Sequence, residues 1–128
     1  MWSIHYTGGM KNAFGKRIRD QRETLLALDP AFGLRQTAAR AGVEPSYLSK
    51  LERGLARPPS EATISRLAQA VGLDRDELLA LAGKLAADVQ QAILRRPKVL
   101  AALVRQFAKV SDEAVQRVIL RARRTGKQ

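Results

Sequence analysis

Cysteine is absent from the 128 residues, which excludes a disulfide framework and thiolate metal ligation and fits a reducing compartment. Histidine is nearly absent too: His5, close to the start of the chain, is the single example, and no group of carboxylates has metal-ligand spacing. The residues therefore give no catalytic group, no metal and no cofactor, and an enzyme is a poor reading of the chain. Aromatic residues make up 5%. No apolar run is long enough to span a bilayer, and no helix face is bulky and aromatic enough to lie on one, so no membrane partner is expected. The opening MWSIHYTGG lacks a basic start followed by an apolar stretch, so no secretory signal is read there. Acidic charge is the last shortage. Twelve Asp and Glu face 23 Lys and Arg, a formal charge of +11, and such a balance calls for a polyanionic partner, nucleic acid first among them.

A hydrophobic share of 45% is enough for a core, and the length allows one domain with an appendage. The most informative stretch is LRQTAARAGVEPSYLSKLERG, from Leu34 to Gly54. Ala38, Ala41, Val43, Leu48 and Leu51 fall where two crossed short helices each bury one side. Gly42 stands at the reversal, able to take the positive φ that ends a helix. Pro45 suits the first position of the next.

The residues AxxAGVxPSYLSKLERGxxRPPSxxTIxRLAxAxGxD resemble the Cro and phage-repressor type helix-turn-helix regulators, the XRE family, over Phe14 to about Gly83. The resemblance implies an all-α fold: a lambda-repressor-like DNA-binding domain of five helices docking on operator DNA. The expected organisation is a flexible segment at 1–11, the helix-turn-helix domain at 12–83 and a basic amphipathic helical extension at 84–128. Trp2 and Tyr6, in the first segment, are expected to be disordered with the rest of it.

The first helix is expected over Asn12 to Leu28, with Phe14, Ile18, Leu25 and Leu28 on one side, ending near Asp29 because Pro30 disfavours helical geometry before it. Gln21 stands where an apolar residue is expected, and Thr37 is polar at a core-facing place. A loop over Asp29 to Gly33 leads into the second helix, Leu34 to Ala41. The third runs from Glu44 to Arg53. In the fourth, Ser60 is the cap, Ile64, Leu67, Ala68 and Val71 recur at helical spacing, and Gly72 closes it. Asp74 and Glu77 have capping-box spacing for a fifth helix carrying Leu78, Leu79 and Leu81 and ending at Gly83.

At about 100° per residue, Leu48 and Leu51 define the buried side of the third helix, and Ser46, Ser49, Lys50 and Arg53 point away. Hydroxyls and cations of that kind can meet base edges and phosphates in a major groove. The resemblance implies base-reading or groove-edge duty for Glu44, Pro45, Ser46, Ser49, Lys50 and Arg53. It puts Arg35 and Gln36, at the start of the second helix, against the sugar-phosphate backbone, and Arg57 on a phosphate. Glu44 is unusual there: it is expected to accept from a cytosine amino group or to cap the helix with its own side chain. Tyr47 is a packing residue with its hydroxyl near a phosphate. Glu52 resembles the family glutamate that pairs with an arginine of the first helix, and Arg22 is the partner expected.

Charge is unevenly shared: residues 10–83 hold 12 basic and 9 acidic residues, whereas residues 84–128 hold 11 and 3, a balance of +8. That tail is not low-complexity. Leu85, Val89, Ala92 and Ile93, then Leu100, Leu103, Val104 and Phe107, recur at helical spacing with a break near Arg95 to Pro97. A last helix is expected after the N-cap Ser111, with Val115, Val118, Ile119 and Ala122 on one side and Arg117, Arg121 and Arg124 on the other. Two readings follow. One is a cytoplasmic, nucleoid-associated transcriptional regulator, a repressor, binding double-stranded DNA at a near-palindromic operator as a homodimer. The other is an antitoxin or mobile-element control protein whose residues 84–128 hold a protein partner.

Overall fold

The computed structural model describes residues 12–126, so the expectations for residues 1–11, with Trp2 and Tyr6, lie outside the described residues. It is helical, with no strand among the described residues: α1 (Ala13–Leu26), a 3-10 turn (Pro30–Phe32), α2 (Leu34–Ala41), α3 (Pro45–Glu52), α4 (Glu61–Val71), α5 (Arg75–Leu81), α6 (Ala87–Arg95), α7 (Pro97–Phe107) and α8 (Asp112–Thr125). The chain divides into two compact units, one ending at Ala86 and one beginning at Ala87.

Local chemistry accounts for the starts. The Ser60 hydroxyl accepts from the Thr63 N–H at the head of α4, and the Asp74 carboxylate accepts from the Glu77 N–H (2.9 Å) at the head of α5. Each satisfies a donor that the first helical turn leaves unpaired. Pro45 opens α3, where its missing N–H costs nothing. Between α2 and α3 the chain reverses at Gly42, whose φ of +71° is the left-handed region that side-chain-bearing residues disfavour. The Val43 N–H then reaches back to the Ala38 carbonyl (3.0 Å), closing the end of α2.

The first unit buries Ile18 of α1, Ala38 and Ala41 of α2, Leu48 and Leu51 of α3, Ile64, Leu67 and Val71 of α4, and Leu78 and Leu79 of α5, with Phe14 nearly as deep. Ala82 and Ala86, beyond the last turn of α5, are buried too, and the Lys84 ammonium donates to the Pro59 carbonyl (2.7 Å). The compact unit therefore runs past Gly83, as far as Ala86.

Three expectations need correction. The first helix ends at Leu26, short of Leu28, and Leu28 is 86% exposed instead of lying on the core side; Leu25 is half-buried. The reason is local: the Asp29 carboxylate accepts from the Ala31 N–H and turns the chain through Pro30–Phe32. That segment, the second correction, is a 3-10 turn and not an open loop. Leu34, at the start of α2, packs partly buried against the core instead. Third, Glu44 makes no side-chain cap at the head of α3.

The two polar residues at apolar places have physical explanations. The Gln21 amide donates to the Val71 carbonyl at the end of α4 (2.9 Å), satisfying an acceptor that the helix leaves open. Thr37 is fully buried, with its hydroxyl within reach of the Arg40 guanidinium (3.5 Å). The second unit is built differently. Helices α6 and α7 pack on one another, but no residue of α6, α7 or α8 is buried.

Candidate nucleic-acid interface

Helix α3 is held from beneath on two sides. Leu48 and Leu51 enter the core, and Arg22 of α1 meets Glu52 through two charge-assisted hydrogen bonds, Nε to Oε2 at 2.7 Å and Nη2 to Oε1 at 2.9 Å. Both side chains are about nine-tenths buried or more. This bidentate fork fixes distance and direction together, which a single contact does not. The Glu52 hydrogen bonds hold the Arg22 guanidinium above the ordinary arginine range, against the opposing effect of burial. The remaining Arg22 donor, Nη1, reaches the Phe32 carbonyl (3.2 Å) in the turn before α2.

Backbone approach sets the other restraint. Gly15 of α1 lies so close to α3 that a Cβ there would fall on the Leu51 carbonyl oxygen, and Asn12 donates its amide to the Glu52 carbonyl (3.4 Å). Sequence periodicity does not announce either contact, because a glycine in a helix reads as a weak point rather than as a packing surface. Arg66 of α4 also escaped sequence reasoning: its guanidinium donates to the Ala41 carbonyl and the Thr63 hydroxyl, both at 3.0 Å, so it caps α2 from another helix.

On this support, Ser46 and Lys50 are exposed on α3, Arg53 is exposed at its C-cap, and Ser49 is half-buried beside them. Arg53 folds back, its Nε donating to the Ser49 carbonyl (3.3 Å). Glu44, at the N-cap, is exposed, and Pro45 and Tyr47 are half-buried, with Tyr47 packed against the core as expected. Arg35 and Gln36 are exposed on the first turn of α2, and Arg57 is exposed in the loop between α3 and α4.

The disposition of cations is the most telling feature. Within the first unit, Lys16, Arg17, Arg19, Arg22 and Arg75 are ion-paired. Arg40, Arg53, Arg66 and Lys84 bind carbonyls, and Arg40 also stacks over the Phe32 ring. Among the described residues of that unit, the three cations left without an internal partner are Arg35, Lys50 and Arg57. They lie on the second helix, the third helix and the loop that follows it.

A helix-turn-helix domain profile matches residues 13–81, more than half of the chain. The chain belongs to the helix-turn-helix family. This helix-turn-helix protein is 42% identical over 71 residues to two proteins of Mycobacterium tuberculosis strains, the uncharacterized HTH-type transcriptional regulators MT0491 and Rv0474. The match takes in 56% of this chain and 46% of each relative, so it spans a little under half their length. A solved SinR protein/SinI protein complex contains a chain that aligns with 90% of this one and 99% of its own length, at 21% identity and a TM-score of 0.46. Among the described residues no helix is long and apolar enough to cross a membrane, and no group of side chains has the makings of a metal site.

Proposed function

We propose that this chain is a sequence-specific transcriptional regulator of double-stranded DNA, acting as a repressor in the cytoplasm and on the nucleoid. The observation that carries this reading is the set of unpartnered cations. The fold employs the other described cations of its first unit internally and leaves Arg35, Lys50 and Arg57 open on the very segments that a helix-turn-helix presents to DNA. Ser46, Ser49 and Lys50 supply the donors and acceptors for base edges, with Glu44 and Pro45 at the groove edge and Tyr47 beside a phosphate. Arg35, Gln36 and Arg57 hold the backbone, and Arg53 completes the edge of α3.

The same reading makes the functional unit a homodimer on a near-palindromic operator with half-sites about one helical turn apart, because one short half-site is too little sequence to stand out among competing DNA. Selection of bound duplexes from a random pool tests it. Enrichment of a repeated half-site at that spacing is the expected result. A pool enriched for nothing in common would replace this reading with non-specific basic binding. A second reading is favoured by the uncovered α6, α7 and α8 surfaces, namely a control protein of the antitoxin kind that holds a protein partner there.

A further inference from the structure

The apolar face of α8 has no cover. Val118, Ile119 and Leu120 are 45%, 38% and 52% exposed, and nothing from Asp112 to Thr125 is buried. Turning about 100° per residue, Val115, Val118, Ile119 and Ala122 make one stripe. The stripe is symmetric along the helix: Val115 and Ala122, like Val118 and Ile119, stand at equal distances on either side of the midpoint.

The charges of α8 have the opposite character. Asp112 and Glu113 occupy the first turn, and Arg123 and Arg124 the last. Asp112 and Arg123 lie on the same edge of the stripe, about 20° apart by helical rotation. Arg121 lies on the other edge. Among the described residues, none of these charged side chains has an ion-pair or hydrogen-bond partner within the chain.

We propose that α8 docks antiparallel on the α8 of a second copy, about a two-fold axis passing between Val118 and Ile119. A two-fold interface must be complementary to itself, and α8 is. Its symmetric stripe sets Val115 of each copy on Ala122 of the other and gathers Val118 and Ile119 of both copies around the axis. Its asymmetric charge does the rest, since antiparallel helices place like edges together and so bring Asp112 of one copy to Arg123 of the other, twice. A parallel pair would set the Arg123 edge against the Arg121 edge and leave Asp112 unmatched. An area this small supports only weak, concentration-dependent association in free solution, strengthened when both domains sit on one DNA molecule. This inference rests on the homodimer reading above and adds to it the surface and the orientation.

The absence of native cysteine makes single cysteines clean reporters in the full chain. Under mild oxidation, a mixture of the Val115→Cys and Ala122→Cys variants should give far more disulfide-linked dimer than either alone. Like positions at the stripe ends are separated by about 10 Å along the axis in an antiparallel pair, which a disulfide does not span. Ile119→Asp should convert dimer to monomer by sedimentation with the helical content unchanged. If Val115→Cys links to itself as well as it links to Ala122→Cys, the pair is parallel and the inference fails while the homodimer stands. It fails in the same way if the chain is dimeric, indifferent to Ile119→Asp and never cross-linked at these sites. A chain that is monomeric both free and on its operator overturns the homodimer reading as well.

Discussion

Lys50 and Arg57 carry the same charge and the same freedom from internal partners, yet their places give them different duties. In the proposed complex Lys50, on α3, comes within reach of base edges, and Arg57, in the following loop, within reach of phosphate. Lys50→Ala is therefore expected to weaken specific binding by about 1–3 kcal/mol and to relax preference at particular base pairs. Arg57→Ala should weaken all duplexes alike and flatten the salt dependence by about one phosphate. Binding isotherms on an operator and on a scrambled duplex separate the two; equal losses for Lys50→Ala on both would assign it to phosphate. Arg22 and Glu52 act as a unit of another kind. Each alanine substitution leaves a buried charge unmatched, so both should destabilise strongly while the double mutant loses less than their sum, in a double-mutant cycle read by urea denaturation. Fully additive losses would mean that the pair contributes no coupling. The placement of the exposed α3 residues was legible from periodicity, and the Arg22–Glu52 pair from resemblance. The unoccupied state of Arg35, Lys50 and Arg57 was not, because which cations a fold consumes depends on carbonyls and carboxylates far away in the chain.

At the scale of elements, caps and glycine reversals could be read directly, since Ser60, Asp74, Ser111, Gly42 and Gly72 act on neighbours a few residues away. The end of α1 could not. Its apolar spacing continues to Leu28 in the sequence, but the Asp29 side chain turns the chain through Pro30–Phe32, a contact that hydrophobic periodicity does not register. Gly15 belongs to this scale as well. In an isolated helix Gly→Ala stabilises by roughly 1 kcal/mol. Here the added methyl meets backbone carbonyl, so Gly15→Ala should destabilise by about 1–3 kcal/mol or more. The sign of the change in melting temperature decides the matter, and a rise would show that α1 and α3 can move apart freely.

Across the whole molecule the two units use charge in contrasting ways. Among the described residues, the first employs all its cations but Arg35, Lys50 and Arg57 in its own structure. The second bears Arg95, Arg96, Lys98, Arg105, Lys109 and the arginines of α8 with no internal ion pair among the described residues. If those groups lie along DNA flanking an operator, a chain cut after Ala86 should lose affinity less steeply as salt rises than the full chain does, because fewer counterions are released. Identical slopes for the two would take the tail off the DNA. The cut leaves the buried core of the first unit intact, Ala86 included, so a folded product is expected by circular dichroism.

The reach of Arg22 has a dynamic corollary. One guanidinium grips α3 through Glu52 and the turn before α2 through the Phe32 carbonyl. Release of that side chain frees both at once, so the amides of the Pro30–Phe32 turn and of α3 should exchange with solvent deuterium through a shared opening event. With α3 and the turn that leads into α2 on one latch, the helix proposed to read bases loosens together with the entry to the helix proposed to meet the phosphates. Imperfect sites, which engage one helix and not the other, would then be let go as a whole rather than held by half.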